Sequence, residues 1–243
     1  MRSCSFALVL GVAGSPLTSG RSFCARCVRP QRVCICSALP ADPIVTDTQI
    51  VVLRHPVEQR RKHTSSVSLM PRCLANFNMI EGVRFDLDDL PALRDVRPLL
   101  LFPGRAAQPL HSVQQSQVSG VAGSGTPSAQ MIVLIDGTWR QARNILRHSP
   151  QLLSHAIQVS LTTPTTSLIE PLRREPAEHC ISTAEACAAA LRHVEGGGMG
   201  ERAAHHLEEA LRRMVAQELR HKPPAPPRTP TRKLRSLSSQ LTA

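Results

Sequence analysis

Four short apolar runs mark the chain: Ile50-Val51-Val52-Leu53, Leu99-Leu100-Leu101-Phe102, Met131-Ile132-Val133-Leu134-Ile135 and Ala156-Ile157-Gln158-Val159. Their apolarity is nearly continuous rather than alternating, which suits strands buried on both faces of a parallel sheet. Helical patterns lie between and after them. Val57 to Met70 reads as a helix with Pro56 at its first turn. Arg140 to Arg147 follows the third run. Thr183 to Val194 is Ala-rich and opens on a capping-box pattern, Ser182-Thr183-Ala184-Glu185. Glu201 to Leu219 sets Leu207, Ala210, Leu211, Met214 and Leu219 near helical spacing. Strands alternating with helices predict an α/β fold, a mostly parallel sheet with flanking helices.

Two stretches break this pattern. Gln114 to Gln130 is rich in Gly, Ser and Gln and reads as a flexible insertion between the second and third strands. Pro223 to Pro230 is Pro-rich and basic, and disorder is expected from there onward. The expected organisation is a disordered or targeting extension over 1–20, a zinc-binding cysteine cluster over 21–42, a catalytic domain over 43–220 with the insertion at 114–130, and a disordered basic tail over 221–243.

Composition adds two constraints. The chain has 243 residues, 42% of them hydrophobic but only 2% aromatic, with no Tyr. The core must therefore rest on aliphatic side chains, and gripping RNA by repeated base stacking is disfavoured for want of aromatic platforms. The formal net charge is +11, concentrated at the ends. Arg2, Arg21, Arg26, Arg29 and Arg32 precede the first acid, Asp42, and the tail after Glu218 has six basic residues and no acid. Such segments attract phosphate backbones through counterion release; a basic tail with no specific partner is the alternative. No apolar run approaches a membrane span. The first twenty residues, apolar around Phe6 to Leu10, read either as a weak targeting segment or as a disordered extension.

Of eight cysteines, four form one tight cluster, Cys24-Ala25-Arg26-Cys27 and Cys34-Ile35-Cys36. Two close thiolate pairs on tight turns can supply four soft ligands in a tetrahedron, which favours zinc. The second pair is C-x-C rather than C-x-x-C, and a disulfide pair or free thiols are the alternatives. With every position filled, such a metal would be structural. Cys4, Cys73, Cys180 and Cys187 are scattered and read as small core residues.

Ligands collect at the carboxyl ends of parallel strands, and the first three runs each lead into a distinctive polar segment: Arg54-His55-Pro56, Pro103-Gly104-Arg105 and Asp136-Gly137-Thr138-Trp139. Alone, Asp-Gly-Thr is compatible with a turn and an N-cap, and Trp139, the single Trp, with a core anchor. An acid at a strand end is equally compatible with a general base or a ligand for an amine.

The ordered set is more specific. Cys24-x-x-Cys27-x-Arg29-Pro30 with Cys34-x-Cys36, Arg54-His55-Pro56-x-Glu58, Lys62-His63-Thr64, Leu101-Phe102-Pro103-Gly104, Asp136-Gly137-Thr138-Trp139-x-x-Ala142, Leu172-Arg173-Arg174-Glu175-Pro176 and Ser182-Thr183-x-Glu185-Ala186 follow one another in register. From Cys24 to Val194 the chain strongly resembles the DTW-domain family of tRNA-uridine aminocarboxypropyltransferases. Two features depart from that pattern: the insertion at 114–130, and the absence of an expected aromatic residue around Ser167 to Leu172.

The resemblance implies a SPOUT-related fold with a C-terminal trefoil knot that holds S-adenosylmethionine in a bent form. It also implies transfer of the 3-amino-3-carboxypropyl group to N3 of a tRNA uridine, giving acp3U and methylthioadenosine. Asp136, Thr138 and Trp139 become the catalytic candidates, with Asp136 taking the N3 proton or holding the donor's amino group. Phe102, Pro103, Gly104, Asp136, Gly137, Arg173, Ser182 and Thr183 are the donor-binding candidates. Arg54, His55, Arg60, Arg61, Lys62 and Arg140 are assigned to substrate, with Arg54 also a candidate for the donor's carboxylate. Glu185 reads as a capping partner rather than a catalyst. The expected partner is tRNA, with no membrane and no stable protein partner, and the expected setting is intracellular: cytoplasmic, nuclear or organellar. The rival readings are an RNA methyltransferase on the same kind of fold and a non-catalytic zinc-dependent RNA-binding protein.

Overall fold

The computed structural model describes residues 22–61, 65–90, 96–113, 130–161, 166–172 and 180–221. Six strands form one sheet: β1 (Gln49–Arg54), β2 (Phe77–Glu81), β3 (Leu99–Leu101), β4 (Gln108–Pro109), β5 (Met131–Asp136) and β6 (Ile157–Ser160), in the order β2-β1-β5-β3-β6-β4. Every pairing in it is parallel. The four expected strands are the central ones, β1, β3, β5 and β6. The two that sequence reading did not anticipate are the edges. In β2 only Phe77 and Ile80 are half-buried while Asn78, Met79 and Glu81 are exposed, so it lacks the continuous apolar run that marks a doubly buried strand. β4 has only two residues.

Five α-helices are described: α1 (Met70–Cys73), α2 (Trp139–His148), α3 (Pro150–His155), α4 (Thr183–Val194) and α5 (Met199–His221). The last two coincide closely with their sequence patterns. The expected helix over Val57 to Met70 does not form. Its described parts are 3-10 turns, Pro56–Arg61 and Ser66–Leu69, followed by the single turn α1. A tertiary contact competes with the helix: Arg54 Nη2 donates to the Glu58 carbonyl at 2.7 Å, so that carbonyl serves a buried guanidinium. Pro71, just beyond the start of α1, has no N–H with which to extend a helix from upstream.

Alternate residues of each central strand serve opposite faces. Val51, Leu53, Leu100, Met131 and Val133 pack with Phe85 and Leu90, with Ile145 and Leu146 of α2, and with Leu152 of α3. Ile50, Val52, Leu99, Ile132, Leu134 and Val159 pack with Val67, Leu69 and Met70 and with α4 and α5. The small residues Ala184, Ala188, Ala203, Ala204 and Ala210 line the helical side of this second core. Cys27, Ile35 and Leu39 belong to the same core. The cysteine segment thus shares apolar burial with the sheet, and buried Arg29 pairs with Glu218 of α5.

Two consequences position a site. A parallel sheet gathers the strand ends Arg54, Glu81, Leu101, Asp136 and Ser160 on one rim. In addition, β1 and β5 are neighbours whose outgoing connections take opposite faces. The chain leaving β1 packs against the α4/α5 side, and the chain leaving β5 becomes α2 on the other side. That divergence is a topological switch point, where open α/β sheets leave a crevice. Among the described residues, no helix is long and apolar enough to cross a membrane.

Candidate active site

Arg54 and Asp136 end the two strands that flank the switch point and are paired across the sheet. Both are buried, at 5% and 9% exposure. Arg54 Nε lies 3.4 Å from Asp136 Oδ2, and the Arg54 Nη1 edge faces Met79 Sδ at 3.8 Å. Thr183 Oγ1, from the first residue of α4, donates to Asp136 Oδ1 at 3.0 Å. The Asp136 backbone carbonyl accepts from the His55 N–H at 2.9 Å, tying the two strand ends together just beyond their last paired residues. A carboxylate oriented by a hydroxyl and balanced by a guanidinium at a strand end can accept a proton or hold a hydrogen-bond donor.

The turn after Asp136 starts α2. Thr138 is its N-cap: Thr138 Oγ1 accepts from the Gln141 N–H at 3.3 Å, and Gln141 Oε1 accepts from the Thr138 N–H at 2.6 Å. Gly137 sits in close quarters. A Cβ there would lie 3.2 Å from Gln141 Cβ and 3.4 Å from His55 Cβ. Trp139 is half-buried, its ring centroid 5.4 Å from that of Phe102 with the planes tilted by 54°. Phe102 follows β3, and its carbonyl accepts from Gln158 Nε2 at 2.9 Å. A Cβ on Gly104 would come within 2.6 Å of that same amide nitrogen. The Phe102–Gly104 segment is therefore shaped by Gln158 of the neighbouring strand as well as by anything that binds beside it.

Beyond its link to Asp136, α4 carries a second anchoring point. Ser182 caps it and Glu185 completes the capping box. Buried Glu185 does more than cap. Its carboxylate accepts from the Ser182 N–H at 3.0 Å, the Leu168 N–H at 2.7 Å and the Ser167 hydroxyl at 2.9 Å. It thereby fastens the 166–172 segment to the start of the helix whose first residue orients Asp136.

The cysteine cluster is remote in sequence but compact. The Sγ atoms of Cys24, Cys27, Cys34 and Cys36 all lie within 4.8 Å of one another. Cys24 and Cys36 are 3.4 Å apart, and Cys27 and Cys34 are 3.7 Å apart. Tetrahedral Zn–S bonds of about 2.3 Å place sulfurs about 3.8 Å apart, so the donor set fits zinc in both chemistry and size. Val28 takes a left-handed conformation, φ 55°, as its N–H turns back to the Cys24 carbonyl at 2.8 Å. Backbone donors at Cys27, with the Cys36 thiol adding to them, draw the Cys24 thiol down to about 6. Burial and the neighbouring thiols push Cys36 up to about 12.

A family model for the DTW domain matches residues 21–219. The chain belongs to the DTW-domain family. It is similar to tRNA-uridine aminocarboxypropyltransferase 2 of Macaca fascicularis, 36% identical over 182 residues, which are 72% of this chain and 57% of that protein. It is likewise similar to tRNA-uridine aminocarboxypropyltransferase A of Arabidopsis thaliana, 28% identical over 239 residues, 90% of this chain and 89% of that one. With the Drosophila melanogaster tRNA-uridine aminocarboxypropyltransferase 2 it shares 35% identity over 198 residues, 77% and 72% of the two chains. The chain thus spans a little over half the length of the macaque relative. No solved structure matches it.

Within this DTW domain the expected residues do not all meet at one point. Arg54, His55, Asp136, Gly137 and Thr183 converge on the switch point, with Phe102, Thr138 and Trp139 on the adjoining strand end and helix start. Ser182 lies next to the site, but its hydroxyl is taken by the capping box and it is only 2% exposed. Pro103 and Arg140 are exposed on the rim and on α2. The backbone of Arg60 and Arg61 lies in the Pro56–Arg61 turn, while Lys62 and Arg173 fall outside the described residues, as does 114–129 of the insertion. Sequence reading missed Met79 and the Glu58 carbonyl, which hold the Arg54 guanidinium, and Gln158, which shapes the Phe102 loop. Met79 and Gln158 carry no motif and act from neighbouring strands far apart in sequence; Glu58 belongs to the Arg54-His55-Pro56-x-Glu58 motif, but the pattern does not show that its carbonyl takes the guanidinium. Cys73 and Cys187 are buried as expected, and burial pushes the Cys73 thiol up to about 12.

Proposed function

We propose that this DTW domain transfers the 3-amino-3-carboxypropyl group of S-adenosylmethionine to N3 of a tRNA uridine, forming acp3U and releasing methylthioadenosine. The observation that carries this reading is the Arg54–Asp136–Thr183 cluster at the β1/β5 switch point, within a domain whose relatives bear the aminocarboxypropyltransferase name. The wider family resemblance extends the reading to a SPOUT-related fold with a C-terminal knot, a tRNA substrate and an intracellular setting.

The residues at the rim suit the donor. Trp139 and Phe102 offer half-buried ring faces to a purine. The capping box of α4 uses the N–H groups of Ser182 and Glu185, and the N–H groups of Thr183 and Ala184 lie in the same first turn, where helix ends favour anions such as a carboxylate. S-adenosylmethionine supplies an activated carbon on its sulfonium. The protein's task is then alignment and proton removal. Asp136 accepts the uridine N3 proton; N3 bonds to the carbon bound to sulfur, and the breaking C–S bond leaves its electron pair on the sulfur of methylthioadenosine. Thr183 holds Oδ1 of the carboxylate and Arg54 lies beside Oδ2, which together fix its orientation toward the uracil. Arg54 is thus better placed to orient Asp136 than to reach the donor. The four cysteines hold a structural zinc ion, with no part in the chemistry.

Incubating tRNA with donor labelled either in the carboxylate or in the methyl group tests the reaction. Carboxylate label is expected in tRNA, with acp3U found by nucleoside mass spectrometry; methyl label in the tRNA sinks the reading in favour of methylation. Asp136→Asn is expected to lower transfer on the order of 10²- to 10⁴-fold. A variant near wild-type turnover removes Asp136 from both its proposed roles.

A further inference from the structure

The helix that springs from the Asp136 turn has an unusual charge pattern. Along Trp139–His148 the sequence WRQARNILRH contains three arginines, one histidine and no acid. Arg140, Arg143 and Arg147 are all exposed. Their i, i+3, i+7 spacing sets them in one stripe on the face opposite buried Ala142, Ile145 and Leu146. At 1.5 Å per residue the stripe is about 10 Å long.

Among the described residues nothing answers this charge. Among the described residues, no carboxylate pairs with Arg140, Arg143 or Arg147. Two arginines elsewhere do meet acids: Arg192 of α4 pairs with Glu201 and Glu208, and Arg212 of α5 with Glu208 and Glu209. The stripe also runs against the helix's own electrostatics. Arg140 occupies the first turn, where the helix dipole favours acids, and Arg140/Arg143 and Arg143/Arg147 are like-charge neighbours at i, i+3 and i, i+4. Only Arg147, in the last turn, gains from the dipole. The helix therefore presents an uncompensated positive face, the complement of an external polyanion.

We infer that the Arg140–Arg143–Arg147 stripe is a track for the RNA phosphate backbone, along which the tRNA strand next to the target base is held. This rests on the tRNA reading above and extends it to Arg143 and Arg147. The track starts at Arg140, four residues beyond Asp136, so a strand bound along it delivers its neighbouring base to the switch point. The low aromatic content, 2%, agrees with a grip on backbone rather than on stacked bases.

The test uses the full chain, an unmodified tRNA transcript and fluorescence anisotropy at several salt concentrations. R143Q/R147Q is expected to weaken tRNA binding roughly tenfold and to flatten the slope of log affinity against log salt by about 1 to 2, as loss of two phosphate contacts requires. R143K/R147K, which keeps both charges, is expected to recover most of the affinity and slope. Calorimetric binding of S-adenosylmethionine separates the two readings. If the wild-type chain transfers the group yet R143Q/R147Q binds tRNA with unchanged affinity and slope, the track is overturned and the transferase stands. If the chain binds no S-adenosylmethionine while R143Q/R147Q loses tRNA affinity, the transferase reading falls and the track stands. Weakened binding to poly-L-glutamate with tRNA binding untouched assigns the stripe to an acidic protein and overturns the RNA track.

Discussion

At Asp136 backbone and side chain do separate work. The carbonyl locks the β5 end to His55 beside β1, while the two carboxylate oxygens face Thr183 and Arg54. Because Arg54 and Asp136 are both buried, removing one partner leaves the other as an uncompensated charge, which costs about 3 to 5 kcal/mol. Arg54→Met is therefore expected to lower unfolding free energy by about 3 kcal/mol in urea titration. An unchanged midpoint would mean that the 3.4 Å approach contributes nothing net. Thr183→Val is near-isosteric and removes a single hydrogen bond, worth about 1 kcal/mol of stability. Its larger effect is expected in kcat for group transfer, with KM for tRNA little changed, since the hydroxyl orients the carboxylate rather than touching RNA. A purely structural Thr183 would leave kcat alone.

Among the elements, α4 ties most of the site together. Its first residue reaches Asp136, its N-cap is Ser182, and its Glu185 fastens the 166–172 segment. The two capping residues should separate experimentally. Ser182→Ala loses one cap, an effect of about 1 kcal/mol. Glu185→Ala strips the acceptor from three donors at once, two of them backbone N–H groups at Ser182 and Leu168, and each buried orphan costs about 1 to 3 kcal/mol. Glu185→Ala is expected to be the more destabilising by thermal melting and to speed hydrogen exchange at the Leu168 amide. Equal losses from the two variants would reduce Glu185 to an ordinary cap. The same helix shows how far local pattern reaches: its Ser-x-x-Glu box and its Ala-rich repeat are legible in the chain, whereas the grip on Leu168 is not.

For the whole molecule, the cysteine segment and the sheet form a continuous body. Cys27, Ile35 and Leu39 share the α4/α5 core, and Arg29 reaches Glu218 near the end of α5. Loss of a metal at Cys24, Cys27, Cys34 and Cys36 should therefore be felt beyond the cluster. The purified chain is expected to carry one zinc ion by atomic emission, since the four sulfurs match one tetrahedral site. Chelation should lower the melting temperature and deprotect the last turns of α5 in hydrogen exchange, because metal binding and folding are coupled. A metal-free preparation whose melting temperature ignores chelator would leave the cluster as four thiols.

Much of this was legible in the sequence, for reasons that can be named. β1, β3 and β5 declared themselves because burial on both faces demands unbroken apolar runs, β6 because Gln158 alone interrupts its run, and α4 because caps and helical periodicity are local properties. The cysteine cluster and the strand-end position of Asp136 were readable for the same reason: ligand spacing and the step from apolar to polar lie within a few residues of one another. Tertiary structure alone decided what depends on neighbours distant along the chain. In the described parts of 57–70 it set 3-10 turns, one of whose carbonyls serves Arg54, in place of the expected helix, and it made the largely exposed segment at 77–81 into an edge strand because β1 offered a partner. It also set Arg54, Asp136 and Thr183 in contact across gaps of dozens of residues. The Asp136-Gly137-Thr138-Trp139 turn was visible as a motif; its partners became visible only once two adjacent strands sent their connections to opposite faces of the sheet.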